Sequence, residues 1–180
     1  MTMLRIPVSD ADHAQGSADA PVTLVEYGDY ECPHCGAAYP VVQHLQQRFG
    51  DDLRFVFRNF PLAQAHPHAR AAAQAAEAAG LQGRFWEMHD VLFEHQDMLD
   101  EANLLRFAAA LGLDMERFAR DFASPEVAAK IRADFLSGAR SGVNGTPTFF
   151  VNGERYDGSW APQDFVAALS SLARDVAVRP

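Results

Sequence analysis

The chain has 180 residues, 48% of them hydrophobic and 22% charged, which suits a single globular domain with ample core. Its formal net charge of −9 argues against nucleic acid and anionic membranes as partners. No apolar run approaches the roughly 18 residues of a membrane span, and Met1 to Ala20 lack the apolar centre of a signal peptide. The chain is therefore expected in the cytoplasm, or outside it if a leader has been removed.

In chain order, Leu4-Arg5-Ile6-Pro7-Val8 is expected to add a short edge strand, where Pro7 is tolerated. Asp10 to Pro21 is polar, with Gly16, Ser17 and Asp19, and reads as a loop. Val22 to Tyr27 is dense in apolar residues, as in a strand covered on both faces. Then come Tyr30-Glu31-Cys32-Pro33-His34-Cys35-Gly36, with the only two cysteines of the chain, and a helix over Ala37 to Phe49. Val42, Leu45 and Phe49 keep helical spacing, and Pro40 is expected to kink the helix. Gly50-Asp51-Asp52 ends it, and Leu53 to Arg58 reads as a second strand, completing a right-handed βαβ unit.

From His66 to about Ser141 the pattern is helical throughout. The stretches are Ala69 to Ala79, Arg84 to His95, Ala102 to Leu111, a helix carrying Met115, Phe118 and Phe122 after the cap Asp114, and one opened by Ser124-Pro125. Thr148 to Val151 returns to strand, Asn152-Gly153 turns, and Arg155-Tyr156 pairs back. Pro162 opens a last helix, and Asp175 to Pro180 reads as a frayed tail. The order is β-α-β, a helical insert, then β-β-α. Residues 1–63 and 143–180 form the expected core and 64–142 the insert.

The chemistry gathers at Cys32 and Cys35. At a helix start the backbone N–H groups point outward and the helix dipole favours negative charge. A thiol there ionises more easily, and the thiolate is the nucleophile. Three residues on is almost one helical turn, so the second sulfur faces the first and the pair can close a disulfide. Cys32 is the expected exposed attacking thiol and Cys35 the resolving one. His34 lies between them, where an imidazolium stabilises the Cys32 thiolate. Half of a structural zinc site also has this spacing, but four ligands are needed and no second cysteine pair exists. His66-Pro67-His68 reads as the polar entry to the Ala-rich helix, Asp29 and Glu31 as solvated loop acids, and Phe85, Trp86, His89 and Phe93 as core of the insert.

The chain resembles the thioredoxin superfamily, and within it the disulfide-forming DsbA-like branch. Four features carry the match: Cys32-Pro33-His34-Cys35, Glu26 six residues before the first cysteine, Pro40 inside the active-site helix, and Gly145-Thr146-Pro147-Thr148 before the third strand. The resemblance implies an α/β thioredoxin fold with an all-helical insertion between the second and third core strands. It places Glu26 beneath the redox pair, where it moves the proton of Cys35. It also implies a cis-proline at Pro147, with Thr146 beside Cys32 offering its backbone to an extended substrate. Departures are the absent signal peptide, and Thr146 where some members carry Val.

The activity so implied is thiol–disulfide exchange by a monomer on cysteine-containing proteins or small thiols, with no cofactor and no metal. It requires a redox recycling partner that the sequence does not identify. Two other classes share the sequence features. One is a binding protein, a metal carrier using the Cys pair or a holdase. The other is a non-redox enzyme similar to the kappa glutathione transferases or hydroxychromene-carboxylate isomerases, which do not need Cys35.

Overall fold

Val22–Gly28 (β2) and Leu53–Asn59 (β3) bury all but their second residue. A strand can do this only at the centre of a sheet with both faces covered. The computed structural model describes residues 2–177 and places them there. β2 and β3 run parallel, in register from Val22 opposite Leu53 to Gly28 opposite Asn59. Thr148–Val151 (β4) lies antiparallel to β2, with Tyr27 opposite Thr148, and Glu154–Tyr156 (β5) completes that side as a hairpin. With His13–Gln15 (β1) on the far side of β3, the sheet has five strands in the order β1-β3-β2-β4-β5.

The outer strand β1 is His13–Gln15, antiparallel to β3. The sequence pattern places the edge strand at Leu4–Val8 and a loop at Asp10 to Pro21. The difference has a physical reason. Leu4 and Val8 pack instead on the sheet face formed by Val25, Tyr27, Val56 and Phe150. Asp12, beside β1, makes an ion pair with Arg58 that fixes the segment. Arg58 is 2% exposed and donates from Nε to Asp12 Oδ1 at 2.7 Å and from Nη2 to Oδ2 at 2.9 Å.

The helix after the cysteines, Pro33–Phe49 (α1), starts four residues earlier than the periodicity suggests, with Cys32 as its N-cap. Five more helices lie between β3 and β4: Ala69–Gly80 (α2), Phe85–Glu94 (α3), Glu101–Ala110 (α4), Met115–Phe122 (α5) and Pro125–Arg140 (α6). Asp114 and Ser124 cap α5 and α6 as their sequence positions suggest, accepting from Arg117 N and Val127 N. Pro162–Ala177 (α7) closes the fold. The tail expected from Asp175 is helical as far as Ala177, and 178–180 lie outside the described residues.

The inserted helices share the core of the sheet. One buried cluster joins Leu24, Phe55 and Phe57 of the strands to Leu45 of α1, Ala76 of α2 and Met88 of α3. The opposite face is covered by α6, which approaches closely because it has glycine at 138. A Cβ there would fall 2.8 Å from the Phe60 ring and 2.9 Å from Tyr27. The insert thereby packs closely against the C-terminal ends of β2 and β3, where the cysteines lie.

Candidate active site

β2 ends at Gly28, and the four residues before α1 make a tight turn. Cys32 N–H donates to Asp29 O at 3.1 Å, and Asp29 N–H points at Cys35 Sγ at 3.5 Å. Cys32 caps α1 without any side-chain oxygen taking the first N–H groups of the helix. The backbone N–H groups of His34 and Cys35 are therefore available to its sulfur. Both cysteines are free thiols and both are buried, Cys32 at 3% exposure and Cys35 at 0%. Cys32 is thus recessed rather than exposed as the sequence suggests.

The two sulfurs have opposite ionisation. Cys32 is pulled down to about 5, chiefly because the Cys35 thiol donates to its sulfur. Burial opposes this, and the Thr146 side chain and the two helix N–H groups add to it. Cys35 is pushed far up by burial, by giving its hydrogen to Cys32 and by the charge of Glu26. At neutral pH the pair carries one thiolate, on Cys32, and one thiol.

Glu26 lies 2% exposed on β2, its Oε1 without a hydrogen-bond partner. Burial first, and the Cys32 charge second, raise its carboxyl to about 8. Its charge is felt by Cys35, and the Cys32 charge is felt by it.

The turn before β4 brings in the second half of the site. The Thr146–Pro147 peptide is cis. The Thr146 carbonyl lies 3.4 Å from Cys32 Sγ and accepts from the thiol. The Thr146 hydroxyl is buried and has no other partner, which leaves it to donate to the sulfur when Cys32 ionises. Residues at 26, 32, 35, 146 and 147 are thus brought together. The His34 ring, by contrast, points to solvent, and what this residue lends Cys32 is its backbone N–H.

Three neighbours escape a sequence reading. Gln96, between α3 and α4, donates from Nε2 to Tyr30 O at 2.8 Å and to Cys32 O at 2.9 Å. It fits because residue 36 is glycine, where a Cβ would fall 2.0 Å from Gln96 Oε1. Asp29 is 1% exposed and accepts from Glu31 N, so it is no solvated acid. The signal in the sequence is Gly28-Asp29 before Glu31, since Asp commonly bonds the backbone two residues on. Glu31 is half-buried and accepts from His68 N and bonds His68 Nδ1. His89 is buried core, as expected, and bonds the Tyr30 hydroxyl at 3.0 Å. Burial, then the charge of His13, pulls it down to about 3. Among the described residues no three His, Cys, Asp or Glu side chains are grouped as metal ligands.

Comparison with known proteins agrees with this fold. The family model described as Thioredoxin matches residues 8–171. A thioredoxin-like oxidoreductase from Silicibacter pomeroyi DSS-3 is 32% identical, covers 93% of this chain and 94% of its own, and superposes with a TM-score of 0.81. Oxidised BdbD from Bacillus subtilis is 26% identical over 93% of this chain and 96% of its own, also with a TM-score of 0.81. Among curated proteins, a Na(+)/H(+) antiporter NhaA 1 of Salinispora arenicola (strain CNS-205) is 48% identical over 178 residues, 98% of this chain but 27% of that protein. The chain thus spans about a quarter of the length of the curated relatives it matches.

Proposed function

The chain belongs to the thioredoxin family, and from that premise we propose that it is a DsbA-like thiol–disulfide oxidoreductase using Cys32-Pro33-His34-Cys35 as its redox pair. The observation that carries this reading is the contrast between the two sulfurs, a stabilised thiolate at Cys32 over a buried thiol at Cys35. The curated relatives named as antiporters share only this segment, and among the described residues no helix is long and apolar enough to cross a membrane. The proposal concerns the shared segment.

In the oxidising direction a substrate thiolate attacks Cys32 Sγ of the disulfide. The S–S bond breaks, and Cys35 leaves as a thiolate and takes a proton from the Glu26 carboxyl. The second substrate thiolate then attacks the substrate sulfur of the mixed disulfide, and Cys32 leaves as the stabilised thiolate. Two substrate thiols have become a disulfide, and the pair holds their two electrons. A recycling partner bearing a disulfide takes these electrons by the reverse steps. Thr146 would hold an extended substrate through its carbonyl, which is released when Cys32 ionises. His34 contributes through its backbone N–H, its ring lying in solvent beyond.

The direction follows from the thiolate. Stabilising it favours the reduced pair, because the disulfide has no thiolate. At pH 7 a cysteine near 5 gains about 1.7 pK units over one near 7, the thioredoxin value. At about 30 mV per tenfold, this lifts the potential from about −270 mV to about −220 mV. That range suits an oxidant or isomerase exchanging with glutathione-like thiols.

A trapping experiment tests the reading. Cys35→Ser, incubated with an oxidised peptide, should accumulate a mixed disulfide at Cys32, and Cys32→Ser should form none. Equal trapping at both positions, or at neither, defeats it. The compartment and monomeric state belong to the same proposal. Cytoplasmic placement predicts that cells hold the pair mainly as thiols, and placement outside predicts the disulfide.

A further inference from the structure

The Asp29 carboxylate is built into the redox turn from every side. Its Oδ1 accepts from Glu31 N at 2.8 Å, and its Oδ2 accepts from Leu62 N at 2.8 Å and bonds His66 Nδ1 at 2.8 Å. Its own backbone holds both cysteines, through the Cys32 N–H and the contact to Cys35 Sγ. Among the described residues the only side chain that bonds this carboxylate is His66. The carboxylate is fully buried, whereas the imidazole keeps 20% of its surface in solvent, so protons reach it freely.

A carboxylate buried three residues before a thiolate opposes the charge that the chemistry needs. An imidazolium on the same carboxylate removes the opposition. We propose that His66 is a positioning residue for the redox pair: paired with Asp29, its positive charge offsets the carboxylate that grips the Cys32–Cys35 turn, so the Cys32 thiolate is favoured while His66 is protonated. This rests on reading Cys32 and Cys35 as a redox pair. Burial would lower His66, but the hydrogen bond and charge of Asp29 and the charges of Cys32 and Glu31 outweigh it, so its proton is held more tightly than in a free histidine. These are the charged groups that face it, and His68 in turn pairs with Glu31. Linkage makes the effect mutual. The Cys32 charge raises His66, so the His66 charge lowers Cys32 by the same amount. The pair therefore grows less oxidising as pH rises through the His66 range, beyond the proton count of the thiols.

His66→Gln separates charge from structure, because the Gln amide still donates to Asp29 but carries no charge. The readouts are the ultraviolet thiolate titration of Cys32 and the equilibrium constant with glutathione, across the slightly acid to slightly alkaline range. With melting and far-ultraviolet circular dichroism unchanged, His66→Gln should raise Cys32 by up to about one pK unit. It should shift the glutathione equilibrium toward the disulfide by about 3- to 10-fold, or roughly 15–30 mV, at the acid end. The difference should shrink as pH rises through the His66 range and wild-type His66 loses its charge. His66→Lys, restoring a permanent charge, should keep the low-pH offset from His66→Gln at all these pH values. A wild-type pair that equilibrates with glutathione while His66→Gln follows the same curve overturns this proposal alone, as does a shift equal at every pH. A wild-type pair that does not equilibrate overturns the redox reading as well.

Discussion

Glu26→Gln should make the protein more stable and the step that moves the Cys35 proton slower. The Glu26 carboxyl is held at about 8 against an ordinary value of 4.5. Because the folded value is raised, the charged form is disfavoured in the fold. Stability is therefore lost as pH climbs from the unfolded to the folded value. At about 1.4 kcal/mol per unit the cost is negligible near pH 4.5, about 3 kcal/mol at pH 7 and about 5 kcal/mol at its alkaline limit. The Gln amide inherits the unpartnered position of Oε1, so neutral replaces neutral and the ionisation cost is what disappears. Urea unfolding should thus show no gain near pH 4.5 and a gain of about 3 kcal/mol at neutral pH in the reduced protein. The gain should be smaller in the oxidised protein, which lacks the Cys32 charge. In kinetics, the step that needs the Cys35 proton should slow by at least about tenfold, the low end of general acid–base effects. Attack at Cys32 by an alkylating agent should change little. A gain equal at both pH values, or equal slowing of both steps, would refute the assignment of Glu26 as a buried proton store.

Three further outcomes follow from the same geometry. Cys32 is lowered in the folded reduced state, so its contribution is full above about pH 8.5, about 3 kcal/mol at pH 7, and fades as pH falls through about 5. Unfolding of reduced protein against Cys32→Ser across that window should show it, and a flat difference would contradict it. Gly36→Ala should push Gln96 off the Tyr30 and Cys32 carbonyls. The loss is two hydrogen bonds worth about 1–2 kcal/mol against about 1 kcal/mol of helix propensity. In a Gln96→Ala background the same change should become neutral or stabilising, and a double-mutant cycle without coupling would count against the contact. Arg58→Met strands a buried Asp12 and should cost about 3–5 kcal/mol at neutral pH. The deficit should shrink in acid as Asp12, held low by Arg58 despite its burial, takes a proton.

What the sequence shows and hides divides along physical lines. Val22 to Gly28 announces itself because a central strand is apolar on both faces, and the helix starts at 114 and 124 because capping is local chemistry. Cys32 and Cys35 are legible because few other structures need them at that spacing, and Pro147 through the resemblance to the thioredoxin superfamily. β1 is not legible. His13, Ala14 and Gln15 are all half-buried and polar or small, and they form a strand only because β3 offers an edge and Arg58 holds Asp12. Asp29 looks like a loop acid until residues 62 and 66 are folded onto it, a contact across more than thirty positions. Gln96 is hidden for the same reason, its carbonyl partners lying 66 and 64 residues away. The cysteines themselves are local. Thr146 and Gln96, which close the site around them, come from distant loops.

The reduction potential of the Cys32–Cys35 couple, measured at pH 7 in glutathione buffers by trapping and mass analysis, tests the central claim most directly. A stabilised Cys32 thiolate over a buried Cys35 thiol predicts about −220 mV, some 50 mV more oxidising than a thioredoxin-like pair. A value at or below about −270 mV, or a pair that does not exchange with glutathione at all, would contradict it.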